Sequence, residues 1–368
     1  MKKFACVLLA ATILTSVLVG CANTGSTSGQ STTGNAGSGN GSNVIVYTQK
    51  TMDQFFHVAL EEGVKKSVES NGYVFESANS NNDSTLQNNQ MQNFIAKKPA
   101  GIIANAVDSD ALNDAATAAV ESGIPVVMVD NPASTAVVDA IVAYDNYGNG
   151  KMAAELIVEK LTEKYGSPQG RVVNVYGAMS SESWRLRKEG FDDVMAQYPD
   201  IEYIEVPGDG EQTKSQEALT NVIAQYNKEI DAVTCPSDAP GLGCAEALKI
   251  ADMWKKVGED GHVIFVTGDG EPDAVVGLID GYYDGIVVED AYAYGPMAVD
   301  LLVNYIFKGE EVPTSGTYTN EDFYWKTAEF SDSDRGPVLM VPPYVMDASN
   351  ATEEAHWGVQ ALMAEGRL

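Results

Sequence analysis

An α/β protein with doubly wound parallel sheets, divided into two similar lobes, is what this sequence predicts, and three observations predict it. Short β-branched runs recur along the chain, amphipathic helical stretches separate them, and the folded part, about 325 residues, is long for a single core. The strand-like runs are VIVYT (44–48), YVFESA (73–78), GIIANA (101–106), PVVMVD (125–130), RVVNVYG (171–177), IEYIEV (201–206), DAVTC (231–235), HVIFVTG (262–268) and GIVVE (285–289). Several are apolar almost throughout, as strands covered on both faces are. In the first helical stretch Phe56, Leu60, Val64 and Val68 recur at four-residue spacing, with Asp53 placed as an N-cap and Asn71-Gly72 as a stop. In a later one Trp184, Phe191, Met195 and Tyr198 fall near one face. No internal repeat and no heptad array accompanies the alternation.

The N-terminus reads as a leader. Lys2 and Lys3 precede an apolar run, residues 4–19, of signal-peptide length and short of the roughly 20 residues a membrane span needs. It ends Leu18-Val19-Gly20-Cys21, small residues before a cysteine, which resembles a lipobox. Residues 1–20 are therefore expected to be a lipoprotein signal peptide, with Cys21 as the lipidated residue. Residues 22–42, ANTGSTSGQSTTGNAGSGNGS, have no charge and no large apolar side chain, so 21–42 are expected to be anchor and flexible tether.

The chain carries 52 acidic and 23 basic residues, net −29, and loss of Lys2 and Lys3 with the leader takes this to −31. So acidic a body is repelled by nucleic acid, which excludes a DNA- or RNA-binding role. Of four cysteines, Cys6 lies in the leader and Cys21 at its end. Cys235 and Cys244 flank a strand-to-helix turn. A disulfide is compatible with that spacing outside the cell, and two buried free thiols are the favoured reading.

Ligands of doubly wound sheets bind beyond the C-terminal ends of the strands. The residues at or beyond the C-terminal ends of the runs are Asp53 and Phe55, then Asn105, then Asp130 and Asn131, then Trp184 and Arg185, then Ser237 and Asp238, then Asp269, then Glu289. Polar and aromatic side chains therefore recur at that edge. Asp53 reads equally as a helix cap or as a cap that also meets ligand. Phe56 lies on the core stripe and reads as packing, although it adjoins the candidate site. Phe55, one position round, is the better stacking residue. Trp184 is balanced between core and ligand.

In the segments DQFFHVALEEGVKK (53–66), IIANAVDSDAL (102–112), GIPVVMVDN (123–131), SWRLRKEGF (183–191) and VTGDGEPDAVVGLIDG (266–281), taken in this order and spacing, the chain resembles the ribose/galactose-type periplasmic binding proteins from about residue 43 to about 326. The resemblance implies a type 1 fold whose lobes are joined by a three-crossing hinge. It assigns 43–145 plus 290–318 to the N-terminal lobe, 146–289 plus 319–345 to the C-terminal lobe and 346–368 to a tail. It also implies a solute-binding lipoprotein of an ABC importer, a membrane permease as partner, a monomer, and no cofactor. Sugar contacts would fall on Asp53 and Phe55, Asn105, Asp130, Arg185 and Asp269. Asn131 stands where relatives often have arginine, Ser237 and Glu289 where they have amides, and PGDGEQ (207–212) lacks their stacking aromatic, a face Trp184 is placed to supply. The ligand implied is a pentose, hexose or polyol in an acidic cleft that also suits an amino sugar.

Other chemistries find little footing. The GDG of 268–270 comes without GxxxxGK[ST] or GxGxxG. His57, His262 and His356 are scattered without HExxH, so no metal site is expected, and there is no GxSxG elbow. Two alternatives stand beside transport. One is a sensory sugar receptor serving a membrane kinase or chemoreceptor; the other, weaker, is a lipid-anchored α/β enzyme.

Overall fold

The computed structural model describes residues 42–368. The expected signal peptide, the lipidated Cys21 and all of the tether but Ser42 lie outside the described residues. The chain runs β1 (Val44–Gln49), α1 (Phe55–Ser70), β2 (Val74–Asn79), α2 (Ser84–Lys97), β3 (Gly101–Ala104), α3 (Asn113–Glu121), β4 (Val126–Val129) and β5 (Ala140–Tyr144). It crosses to a second lobe through α4 (Asn146–Tyr165) and continues β6 (Gly170–Tyr176), α5 (Glu182–Met195), β7 (Ile201–Pro207), α6 (Gln212–Gln225) and β8 (Ala232–Thr234). This lobe goes on with α7 (Asp238–Ile250), β9 (Ile264–Asp269), α8 (Pro272–Ile279) and β10 (Gly285–Val288). After a return crossing come α9 (Tyr294–Asn304), β11 (Gly316–Thr319), β12 (Thr327–Ser331) and β13 (Val338–Val341). Last are β14 (Tyr344–Met346) and α10 (Trp357–Ala364).

The first sheet has order β11-β12-β13-β5-β4-β3-β1-β2 and the second β14-β10-β9-β8-β6-β7. Pairing is parallel except at β11–β12, β12–β13 and β10–β14. Central strands β3, β4 and β10 are buried at every residue, whereas the edge strand β2 is not. Helices on both faces bury the sheets, which is why these strands read as continuous apolar runs. Helix α1 lays Leu60, Val64 and Val68, all fully buried, into the core. Each such side chain contributes roughly 1.5–3 kcal/mol.

The segment expected in the second lobe, 319–345, divides differently. Strands β12 and β13 extend the first sheet, with Val338–Val341 pairing in parallel with Ile141–Tyr144, and only β14 joins the second. The third crossing therefore lies between 341 and 344. The buried Leu339 and Val341 need the first lobe's core, and a short hairpin delivers them there. Residues 346–368 are not a loose tail either: α10 packs against α8. Cys235 and Cys244 are buried free thiols. Among the described residues no helix is long and apolar enough to cross a membrane.

Candidate functional site

The C-terminal ends of both sheets face one another, and the loops after the strands line a cleft. In the second lobe Arg187 is its centre. Helix α5 packs on α4 so closely that a Cβ at Gly150 would lie 1.8 Å from the Arg187 carbonyl oxygen. This seats the arginine, 6% exposed, beside the first crossing. Its Nε donates to Asn146 Oδ1 (2.8 Å), and its Nη1 to the Pro236 carbonyl (2.5 Å) and Asp269 Oδ1 (2.9 Å). Its Nη2 donates to Glu289, and its Cζ lies 5.5 Å from the Tyr144 ring centroid. Burial works against the charge, but Glu289 and Asp269 outweigh it and hold the guanidinium protonated. Ser237 Oγ donates to the other Asp269 oxygen at 2.5 Å. Glu289 also accepts from the Tyr294 hydroxyl. Burial pushes its pKa up to about 8, against the pull of Arg187.

In the first lobe Asp130 faces this group. Asn105 Nδ2 donates to Asp130 Oδ2 at 2.7 Å and also reaches Gln49 Oε1 at 3.3 Å. Burial raises the Asp130 pKa, with Lys50 and Asn105 opposing. Both carboxylate-bearing residues hold left-handed backbones, φ 56 at Asp130 and φ 93 at Asp269. Strain of this kind costs on the order of 1–3 kcal/mol and collects at functional sites. Lys50 joins them at the cavity wall with its ammonium 5.8 Å from the Trp184 ring. Burial, with Arg187 near, lowers its pKa against the pull of Asp130. The Trp184 indole covers Gly177, where a Cβ would collide with the ring at 1.3 Å, so glycine there makes room for it.

Several expected residues fall elsewhere. Arg185 is exposed. In α5 it is Arg187 that shares the buried face with Ser183, Gly190, Phe191 and Val194 at three- and four-residue spacing, and Arg185 points away. Asp53 is exposed and does not cap α1, because Gln54 holds the cap position and sends its amide across the cleft to the Gly210 carbonyl (3.2 Å). Phe56 packs in the core as its place on the stripe predicts and also lines the cavity, while Phe55 stacks on Trp357, centroids 6.1 Å apart. Asp238 braces from behind, accepting from the Thr267 hydroxyl (2.5 Å) and the Gly270 and Glu271 amides (both 2.7 Å). Asn105 orients Asp130, and Asn131 Oδ1 accepts from the Ser183 amide across the cleft at 3.3 Å. Asp130, Asn131, Trp184, Ser237, Asp269 and Glu289 line the cavity.

Sequence reasoning missed Arg187, Lys50, His57, Ser181 and Glu271. The phase of Arg187 with Phe191 and Val194 was the available signal. Burial holds the His57 pKa down at about 3, so the ring is neutral. Its Nδ1 and the Ser181 hydroxyl are buried without a hydrogen-bond partner among the described residues. Glu271 Oε1 accepts from the Phe56 amide, lobe to lobe, at 3.0 Å. Farther out, Arg335 of the first lobe grips both oxygens of Glu182 in the second (2.8 and 2.9 Å). With these contacts made, the cavity measures about 20 Å³, room for about one water. A sugar ring is larger than this volume. Among the described residues no cluster of His, Cys, Asp or Glu is arranged to hold a metal.

Two lobes on a three-stranded hinge, with carboxylates, an arginine and aromatic faces meeting between them, define a binding protein that closes on a small polar solute. A family model, the periplasmic binding protein domain, matches residues 45–311, and the chain belongs to that family. It is 28% identical to the ribose import binding protein of Haemophilus influenzae over 302 residues, 82% of this chain and 94% of that protein. It is 30% identical to a putative rhizopine-binding protein of Rhizobium meliloti, over 63% of this chain and 73% of that one. In fold it is similar to a carbohydrate transporter solute-binding protein from Agrobacterium radiobacter in complex with D-arabinose. That match has a TM-score of 0.73 and 20% identity and covers 88% of this chain and 99% of that one.

Proposed function

We propose that this chain is the extracytoplasmic solute-binding component of an ABC importer, that its solute is a pentose, hexose or polyol, and that Cys21 anchors it by lipid to the outer face of the membrane. The observation that carries the reading is the Arg187–Asp269–Glu289 group facing Asp130 across a cavity walled by Phe56 and Trp184. Carboxylates accept from ligand hydroxyls and the guanidinium donates to ligand oxygens, both as charge-assisted bonds. Aromatic faces cover the C–H side of a sugar ring. Lys50, His57 and Ser181 supply further polar atoms at the same wall. The relatives named for ribose and rhizopine support a polyhydroxylated ligand. The protein acts as a monomer and presents its closed form to the permease; it turns over no substrate.

The test is the melting temperature of residues 43–368 against pentoses, hexoses, polyols and amino sugars. A ligand at about 1,000 times its Kd adds about 4 kcal/mol. At roughly 2–4 °C per kcal/mol the true ligand stands clear of the rest. A panel that leaves the melting temperature unmoved removes the sugar reading.

A further inference from the structure

Among the described residues none after β14 lines the cavity, yet the segment ends in a helix whose first residue reaches the Asp269 turn. Trp357 is 1% exposed and heads the largest fully buried side chains. Its indole N–H donates to the Asp269 carbonyl at 2.8 Å. That carbonyl belongs to the residue whose carboxylate takes Arg187 and Ser237. The left-handed backbone of Asp269 costs energy and persists where the surrounding contacts hold it. Asp238 gathers the two amides that follow, and the carbonyl accepts from both the Trp357 indole and the Glu289 amide (3.1 Å). The seat is close: a Cβ at Gly358 would lie 2.0 Å from the Gly270 carbonyl oxygen, so only glycine lets α10 rest on the turn.

The other side of the indole belongs to the first lobe and the hinge. It stacks on Phe55 at 20° between planes and meets Phe56 edge-on at 6.2 Å. It also meets Tyr292, on the return crossing, at 5.7 Å. One side chain thus touches the backbone of a ligand carboxylate in one lobe and the aromatic pair beside the cavity in the other.

We infer that Trp357 is a positioning residue for ligand capture: its N–H fixes the Asp269 turn in binding geometry, and its ring registers arrival of the first lobe through Phe55. The inference rests on the cleft being the ligand site. A tryptophan that only filled space would lower stability without acting through Asp269, and the experiment separates the two.

Trp357→Phe keeps a ring and loses the N–H. In sugar-free protein, hydrogen exchange at the Gly270 and Glu271 amides is expected to quicken about tenfold or more, with β3 and β4 unchanged. For affinity, the probe is whichever of D-ribose, D-arabinose, xylitol and myo-inositol raises the melting temperature most. Trp357→Phe is expected to weaken it about tenfold. Ser237→Ala, which also acts through Asp269, is combined with it. The double variant is expected to lose clearly less than the product of the single losses, since both remove support from one carboxylate. Unchanged exchange at Gly270 and Glu271, or losses that simply multiply, overturns the inference. If no sugar binds, the proposed function fails, and the exchange measurement alone still decides the role of Trp357. Should Trp357→Phe not fold, Phe55→Leu leaves the N–H in place. It is expected to weaken binding while exchange at Gly270 stays slow, and faster exchange there would overturn the division of labour.

Discussion

Of the five N–H groups of Arg187, four are taken by Asn146, Pro236, Asp269 and Glu289. The fifth, on Nη2, has no partner among the described residues, and under the proposed function it donates to a ligand oxygen. Lysine keeps the charge but not the fork. Arg187→Lys is therefore expected to weaken the cognate sugar about 10- to 100-fold, the worth of one charge-assisted hydrogen bond. Arg185→Ala should change neither affinity nor melting temperature. Titration calorimetry on both variants checks the pair; equal losses would contradict the assignment. Site positions were legible in the sequence where a residue ends a strand or follows it directly, as at Asp269, Asp130 and Glu289. They were less so within helices, where a two-residue choice, Arg185 or Arg187, is decided by which phase the packing face takes. Phe55 is a similar case: it is half-buried, and the contact with Trp357, which sequence does not show, places it against α10.

The elements that close the cleft are the N-terminus of α1, the turn between β9 and α8, and the loop before β13. Glu271 on that turn has its pKa pushed up to about 8 by burial, with Asp269 adding to it. The fold therefore favours its neutral form. Its contribution is fully present below the ordinary glutamate range and is lost as pH rises toward about 8. Melting temperature is expected to fall between about pH 5 and pH 8, and Glu271→Gln, which keeps an acceptor for the Phe56 amide, should flatten that slope. Some slope remains, because Glu289 shifts to about 8 and Asp290 to about 7 in the same direction. An unaltered slope would place Glu271 outside the titrating set. The Arg335–Glu182 clasp makes a different prediction. Arg335→Met touches no ligand, so it is expected to weaken every sugar by one common factor, about 3- to 10-fold, by shifting the closing equilibrium. Factors that differ between sugars would mean that Arg335 also shapes the pocket. Helix and strand alternation made these elements visible beforehand. The clasp was not visible, because Glu182 and Arg335 stand 153 positions apart and only tertiary structure brings them together.

At the scale of the molecule, alternation and length were enough for two doubly wound lobes, since buried parallel strands write continuous apolar runs. The third crossing was misplaced because β11 to β14 are three to five residues long and choose their sheet by long-range pairing. The role of α10 escaped for a related reason: Trp357 docks on a turn 88 residues earlier. The central claim is that a sugar is captured by closure of the two lobes, because the closed cavity of about 20 Å³ admits no ring from outside. Ligand then selects the closed form by touching both lobes. Small-angle scattering of residues 43–368, with and without the sugar that most raises the melting temperature, tests this most directly. The expected result is a smaller radius of gyration and a narrower distance distribution with sugar, lost in Arg187→Lys at the same sugar concentration. Tight binding with an identical scattering profile would contradict capture by closure.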